Sequence, residues 1–367
     1  MSEGKERRLG IWDKYLTLWV AICIGAGIGL GKAFPGISEV LSDLTVANVS
    51  IPVAVCLFLM IYPIMVQIDF AQVVRAARTP KPIITTLAVN WAVKPFTMAF
   101  FAWLFLGVVF KDFLTPEAAE EYRAGMILLG VAPCTAMVLM WSYLARGNMG
   151  HTLVMTALNS LSMVILYAPL SGLLLGISGI DIPWGTIAFS VAIYICLPLV
   201  CGYFTRKQVI KHKGIQWFES RLVPALRTVS IVALLITLVV LFSLQGEVIT
   251  QLPSAVGMIA IGIFCNILLV FALTYLIARR IRLPYEDAAP TAIIAGSNHF
   301  EVAVAVATTV FGLSSGAVLA TVVGVLTEVP FMLFLVWLCK RTRGFFPSAV
   351  AGAAPAAGLA LDDRPGD

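Results

Sequence analysis

Charge is scarce in this sequence. Only 12% of its 367 residues are Asp, Glu, Lys or Arg, while 60% are hydrophobic. That balance excludes an ordinary soluble domain and points to a chain that crosses a membrane several times. A phosphate loop is also missing. Gly25 to Ala33 (G-A-G-I-G-L-G-K-A) comes near one, but position 26 is alanine where the first glycine belongs, and Lys32 precedes Ala33 instead of Ser or Thr. No dinucleotide-binding spacing fits either, so these glycines read as small residues for close helix packing. Without an ATP-hydrolysing motif, uphill transport has to run on an ion gradient. The seven cysteines (Cys23, Cys56, Cys134, Cys196, Cys201, Cys265 and Cys339) all lie in apolar runs. None is paired at metal-finger spacing, so no disulfide framework is expected. The net charge of +5 calls for no nucleic acid, because its distribution has another explanation.

What the chain does have is apolar length. About 20 apolar residues span a bilayer. Ten stretches reach that length: 12–33, 51–70, 83–108, 124–145, 152–176, 184–204, 222–244, 254–278, 288–311 and 317–339. The first follows M-S-E-G-K-E-R-R with no cleavage site, so it reads as a retained anchor. Positive charge clusters in alternate connections. It is carried by Lys5, Arg7, Arg8 and Lys14 at the start, then by Arg75, Arg78 and Lys81, by Arg146, and by Arg206, Lys207, Lys211, Lys213 and Arg221. Arg279, Arg280 and Arg282 follow, then Lys340, Arg341 and Arg343. The other connections hold only Lys32, Lys111 and Arg123 beside Glu39, Asp43, Asp112, Glu117, Glu120, Glu121, Asp181 and Glu247. Positive charge stays on the cytoplasmic side. The expectation is therefore ten spans with both termini cytoplasmic. The basic stretch between spans six and seven reads as a cytoplasmic loop.

Two segments are wrong for plain helices. Ile127 to Ser142 reads I-L-L-G-V-A-P-C-T-A-M-V-L-M-W-S, with Gly130, Pro133 and Cys134 in its middle. Proline removes a backbone donor and clashes one turn back. Freed backbone groups at membrane depth survive only where protein or a water-filled cavity satisfies them. Shifted by 166 residues, Ile293 to Glu328 lies on Ile127 to Ser162 without a gap, placing Gly130 on Gly296 and Pro133-Cys134-Thr135 on His299-Phe300-Glu301. Interrupted segments at matching places in two halves are a sequence pointer to a transporter binding site. The expected fold is all-α, with two inverted five-helix repeats whose fourth and ninth helices are broken and cross. Residues 1–11 form a cytoplasmic N-terminus, 12–178 the first repeat, 179–343 the second, and 344–367 a flexible tail rich in Ala, Gly and Pro.

Charges at membrane depth cost about 2.5–3.5 kcal/mol each on insertion scales, so Glu301, Glu328 and Lys94 are functional candidates. Glu301 follows Asn298 and His299 at the second break. It reads as a proton or substrate carrier, or as a structural partner of Lys94. Glu328, before Pro330, reads as functional or as half of an ion pair. Lys94, before Pro95, could balance a carboxylate, replace a sodium ion or be structural. His299 is a hydrogen-bonded imidazole or a group that titrates near neutral pH. Arg123 is an interfacial charge that snorkels to water or an external gate. From position alone Cys134 stays open between a small buried hydrophobe and a soft ligand for metals and metalloids.

G-V-A-P-C-T-A-M-V-L-M-W-S, the following A-R-G-N, G-S-N-H-F-E-V-A-V-A and G-V-L-T-E-V-P together resemble the arsenical-resistance arsenite efflux permeases, within the bile acid/arsenite/riboflavin transporter superfamily. The resemblance covers roughly residues 12–340. It implies ten spans, two crossed broken helices, and proton-coupled export of As(III), with antimonite as a second substrate in some members. It also implies that Cys134 is the family's key cysteine and Glu301 its key glutamate, and that Arg123 and Glu328 match an arginine and a last-span glutamate that matter there.

The expected mechanism brings neutral arsenite from the cytoplasm to Cys134 as an As(III) ligand. Asn298, His299 and Glu301 complete the site, and protonation of Glu301 weakens it. No cofactor, no enzyme activity and no nucleic acid are expected. The partners are arsenite, protons and the bilayer of the plasma membrane. A homodimer is compatible with the sequence, and an ATPase subunit is not expected. The competing reading is a sodium-coupled organic anion symporter of the same superfamily. An intramembrane thiol enzyme using Cys134 and His299, or a channel, are the readings from other classes.

Overall fold

Apolar side chains drive most of this chain into helices, and proline and glycine decide where the helices stop. The computed structural model describes residues 16–34, 45–46, 49–70, 80–135, 137–180, 184–251 and 253–347. Outside these lie Lys5, Arg7, Arg8, Lys14, Glu39, Asp43, Arg75, Arg78, Asp181 and the tail from 348 onward.

In chain order the helices are α1 Leu16–Ala33, α2 Ile51–Val66, α3 Pro80–Ala92, α4 Lys94–Ala102, α5 Pro116–Val131, α6 Val138–Leu144 and α7 Met149–Ile177. Then come α8 Trp184–Val191, α9 Leu197–Trp217, α10 Val223–Gln251, α11 Pro253–Arg280, α12 Tyr285–Gly296, α13 Phe300–Phe311 and α14 Gly316–Arg341. The two-residue strands β1 (Thr45–Val46) and β2 (Val49–Ser50) pair antiparallel. Five helical runs are long and apolar enough to cross a membrane: Pro80–Val109, Met149–Ile177, Trp184–Gln245, Pro253–Arg280 and Gly316–Arg341. The helices α2 and α13 are apolar but shorter. The chain is a multi-pass membrane protein.

One connection departs from expectation. The basic stretch between the sixth and seventh apolar segments is helical, not a loop, so Trp184–Gln245 is a 62-residue run. Its lysines and arginines are good helix formers. The bend comes from Gly214, at φ +79°, a conformation that glycine adopts without penalty.

The helices α1, α2, α9 and α10 pack on one another, and α11, α12, α14, α4 and α5 form a second group. The glycine-rich start of the chain belongs to the first. A Cβ on Gly27 would lie 2.6 Å from Phe242 Cβ, and one on Gly31 would run into the backbone of Ser243. Gly25 and Gly29 have open space. Alternate glycines, on one face, let α1 sit against α10.

The two interrupted segments are the pairs α5/α6 and α12/α13. Helix α5 starts on Thr115, whose side chain accepts from the Ala118 N–H at 3.2 Å, with Pro116 at the first helical position. It ends at Val131 because Pro133 forces the residue before it out of the helical region. Ala132 has φ −89° and ψ 102°. The chain becomes helical again at Val138. In the second segment Ser297 is extended, with φ −90° and ψ 152°, and α13 begins at Phe300.

Candidate functional site

Where the two segments are interrupted, they cross. Pro133 and Asn298 form an antiparallel bridge, and His299 N donates to Ala132 O at 2.9 Å. Each break thus satisfies backbone groups freed by the other. A third freed group, the carbonyl of Leu128, accepts from Tyr167 Oη at 3.1 Å. Every buried backbone group needs such a partner, and at membrane depth water is not a general substitute.

The interior charges gather on this crossing. Glu328, from the middle of α14, faces the second break. The Asn298 N–H donates to its two carboxylate oxygens at 3.1 and 3.2 Å, and Asn298 Nδ2 reaches Oε2 at 3.4 Å. The Ser297 hydroxyl donates to Glu328 Oε1. Lys94, the first residue of α4, donates from Nζ to Ser297 O at 2.8 Å and is fully buried. It sits at a break of its own. Val93 has φ −120°, and Pro95 prevents α3 from running straight into α4. Cys134 is 2% exposed. Glu328, Glu301 and Lys94 are its charged neighbours, and the antiparallel bridge sets Ser297 directly opposite it.

Glu301 is placed differently from Glu328. It stands in the first turn of α13, where a helix N-terminus favours negative charge. His299 Nδ1 lies 2.8 Å from its Oε2. The structural partner of Glu301 is therefore His299, not Lys94, because the chain turn at 299–301 brings the two side chains together. Three buried polar atoms around the crossing have no hydrogen-bond partner among the described residues: Thr135 Oγ1, Asn298 Oδ1 and His299 Nε2. Unpaired buried polar groups are costly, and a polar guest would satisfy them.

Gly130 and Gly296 lie in the last turn before each gap and leave room for neighbours. A Cβ on Gly130 would run into the Met98 side chain, and one on Gly296 would come within 3.3 Å of Phe271 Cβ. Arg123 is not brought to the crossing. Its Nε donates to Ala119 O, one turn back on α5, at 3.3 Å, about two turns from the gap by helix geometry.

Three residues at the site were not singled out from sequence. Ser297 is one. The others are Asn90 and Asn159, both fully buried. Asn159 Nδ2 donates to Cys134 O at 3.1 Å, and Asn90 Nδ2 donates to Asn159 Oδ1 at 3.2 Å. Asn90 precedes Lys94 by four residues, and an amide that near a charge in an apolar run is the signal that could have found it.

One thiol, two carboxylates and one ammonium around two facing breaks can bind a small polar solute and exchange a proton. They do not form a metal centre: among the described residues no group of three or more His, Cys, Asp or Glu could hold a metal ion.

Comparison with known proteins fits this chemistry. The Sodium Bile acid symporter family matches residues 54–252. The arsenical-resistance protein Acr3 of Alkaliphilus metalliredigens is 46% identical over 347 residues, covering 95% of this chain and 97% of that protein. The chain belongs to the arsenical-resistance permease family. The Acr3 protein of Corynebacterium glutamicum is 32% identical over 345 residues, covering 92% of this chain and 90% of its own. An uncharacterized transporter of Synechocystis is 53% identical over 348 residues, covering 92% and 91%. As an arsenical-resistance permease the chain is a transporter.

Proposed function

We propose that this permease exports arsenite from the cytoplasm in exchange for protons. The observation that carries the reading is Cys134, a buried thiol in the gap of α5/α6 with Lys94, Glu301 and Glu328 around it. A single soft sulfur selects a thiophilic metalloid over ordinary solutes, and one As–S bond is weak enough to release where three would trap. Arsenite enters as the neutral hydroxide and exchanges one oxygen ligand for the thiol. Glu301 takes up an external proton, the site weakens, and the metalloid leaves outward. Antimonite, with the same valence and the same taste for sulfur, is a second substrate. Two relatives are arsenical-resistance proteins, which supports the substrate class.

In this reading the chain sits in the plasma membrane as ten spans with both termini cytoplasmic. Two inverted five-span halves, 12–178 and 179–343, rock around the crossing. The competing reading, sodium-coupled uptake of an organic anion, needs clustered oxygens open to a hard cation. Here the Lys94 ammonium already donates to the Ser297 carbonyl at the second break.

The test is arsenite accumulation in everted vesicles under an imposed pH gradient, with and without sodium. Uptake is expected to follow the pH gradient, ignore sodium and vanish in Cys134→Ser. Uptake that needs sodium, ignores the pH gradient or survives loss of the thiol defeats the reading.

A further inference from the structure

The bridge between Pro133 and Asn298 is antiparallel, so one step along each strand sets Cys134 opposite Ser297. Residues directly opposite on an antiparallel pair hold their Cβ atoms about 4.5–5.5 Å apart on one face, which sets the Ser297 side chain beside the Cys134 thiol, and the Ser297 hydroxyl donates to Glu328. A hydroxyl accepts one proton while giving up another. It therefore stands in line between a proton donor and a carboxylate. Ser297 is held there from its backbone side as well, through the 2.8 Å hydrogen bond from Lys94 Nζ to its carbonyl. Cys134, Ser297 and Glu328 are 2%, 0% and 5% exposed, so bulk water does not offer the thiol proton an easier path. Glu301 is engaged elsewhere, 2.8 Å from His299 Nδ1.

We propose that Ser297 is a proton relay that links the Cys134 thiol to Glu328 during ligand exchange on arsenite. This rests on the arsenite reading above. When arsenite binds, the S–H bond and one As–O bond break, and an S–As bond and an O–H bond form. The thiol proton passes to Ser297 Oγ, which releases its own proton to the Glu328 carboxylate. Glu328 returns a proton through the same hydroxyl to the departing hydroxide, which leaves as water. The carboxylate ends as it began, and the step consumes no further proton. Outward release runs the same sequence backwards. Glu328 thus serves the chemistry at sulfur, and Glu301 is left to serve the gradient.

The experiment compares Ser297→Ala, Ser297→Thr, Glu328→Gln and the double variant Ser297→Ala/Glu328→Gln in the full-length chain in everted vesicles. Two rates are read: arsenite uptake, and modification of Cys134 by N-ethylmaleimide, followed on its peptide by mass spectrometry. Ser297→Ala and Glu328→Gln are each expected to slow both rates at least ten-fold, with the double variant no slower than either alone. Ser297→Thr, which keeps the hydroxyl, is expected to retain at least half of both. The relay is overturned if Ser297→Ala stays within two-fold of the parent, if Ser297→Thr is as impaired as Ser297→Ala, or if the two single losses multiply in the double variant. The maleimide rate involves no arsenite. Should Cys134→Ser transport arsenite normally, the functional reading falls, and the relay is decided on that rate.

Discussion

Lys94 and Ser297 are 203 positions apart in the chain and 2.8 Å apart in space, with the ammonium of one donating to the carbonyl of the other. The contact ties the break between α3 and α4 to the break between α12 and α13. Lys94 is fully buried, which is expensive for a charge unless it is hydrogen-bonded and has opposite charge nearby. Glu328 is the carboxylate that supplies it.

Removing that ammonium is therefore predicted to loosen the second break. Lys94→Met leaves the Ser297 carbonyl buried without its donor, at a cost of about 1–3 kcal/mol. Arsenite uptake should fall at least ten-fold, and the thermal unfolding midpoint in detergent should drop. Lys94→Arg should not restore uptake, because a planar fork does not fit where a compact ammonium sits.

The Asn90–Asn159 pair is predicted to act on the thiol through the backbone. Asn159→Leu frees the Cys134 carbonyl and strands the Asn90 amide. The expected cost is about 1–3 kcal/mol of stability, with a rise in the arsenite concentration for half-maximal uptake. Asn90→Ala in the same background should add little, because members of one hydrogen-bond chain are not independent. A double-mutant cycle on vesicle uptake measures this.

Two glycines should respond oppositely to the same change. Gly130→Ala forces a methyl into Met98 beside the first break. Overpacking of this kind typically costs about 1–3 kcal/mol. At Gly150 a Cβ meets only Asn148 Oδ1, at 3.4 Å, and alanine is the better helix former. Gly150→Ala should be neutral or stabilising. Unfolding midpoints of the purified variants decide it.

Glu301 and His299 are predicted to carry the response to the pH gradient. Glu301→Gln keeps the shape of the side chain and removes its charge. Uptake in everted vesicles should lose its dependence on the imposed gradient, while arsenite still protects Cys134 from maleimide. His299→Gln removes the partner that lies 2.8 Å from Glu301 and should move the pH optimum of uptake without abolishing it.

Much of the architecture could be read from residue order. Low charge and repeated apolar length specify a multi-pass helical protein, because a backbone without water must bond to itself. Pro133 alone predicts the gap after Val131, through a steric rule that acts on its immediate neighbour. The helical stretch between the sixth and seventh segments was hidden, because lysine and arginine read as a cytoplasmic loop by charge while being good helix formers by propensity.

The site was only half visible. Cys134, Glu328, Lys94, Asn298 and His299 stand out as polar groups in apolar surroundings, and that is a one-dimensional property. Which of them meet is not. Glu301 turned to His299 instead of Lys94, and Arg123 stayed two turns away along α5. Ser297, Asn90 and Asn159 are ordinary small polar residues until folding sets them beside Cys134. Residue order by itself determined the apolar runs, their interruptions and the presence of buried charge, since each depends on neighbours along the chain. Only the tertiary structure decided the pairing, because hydrogen bonds reach about 3 Å and the groups that share them come from helices far apart in sequence.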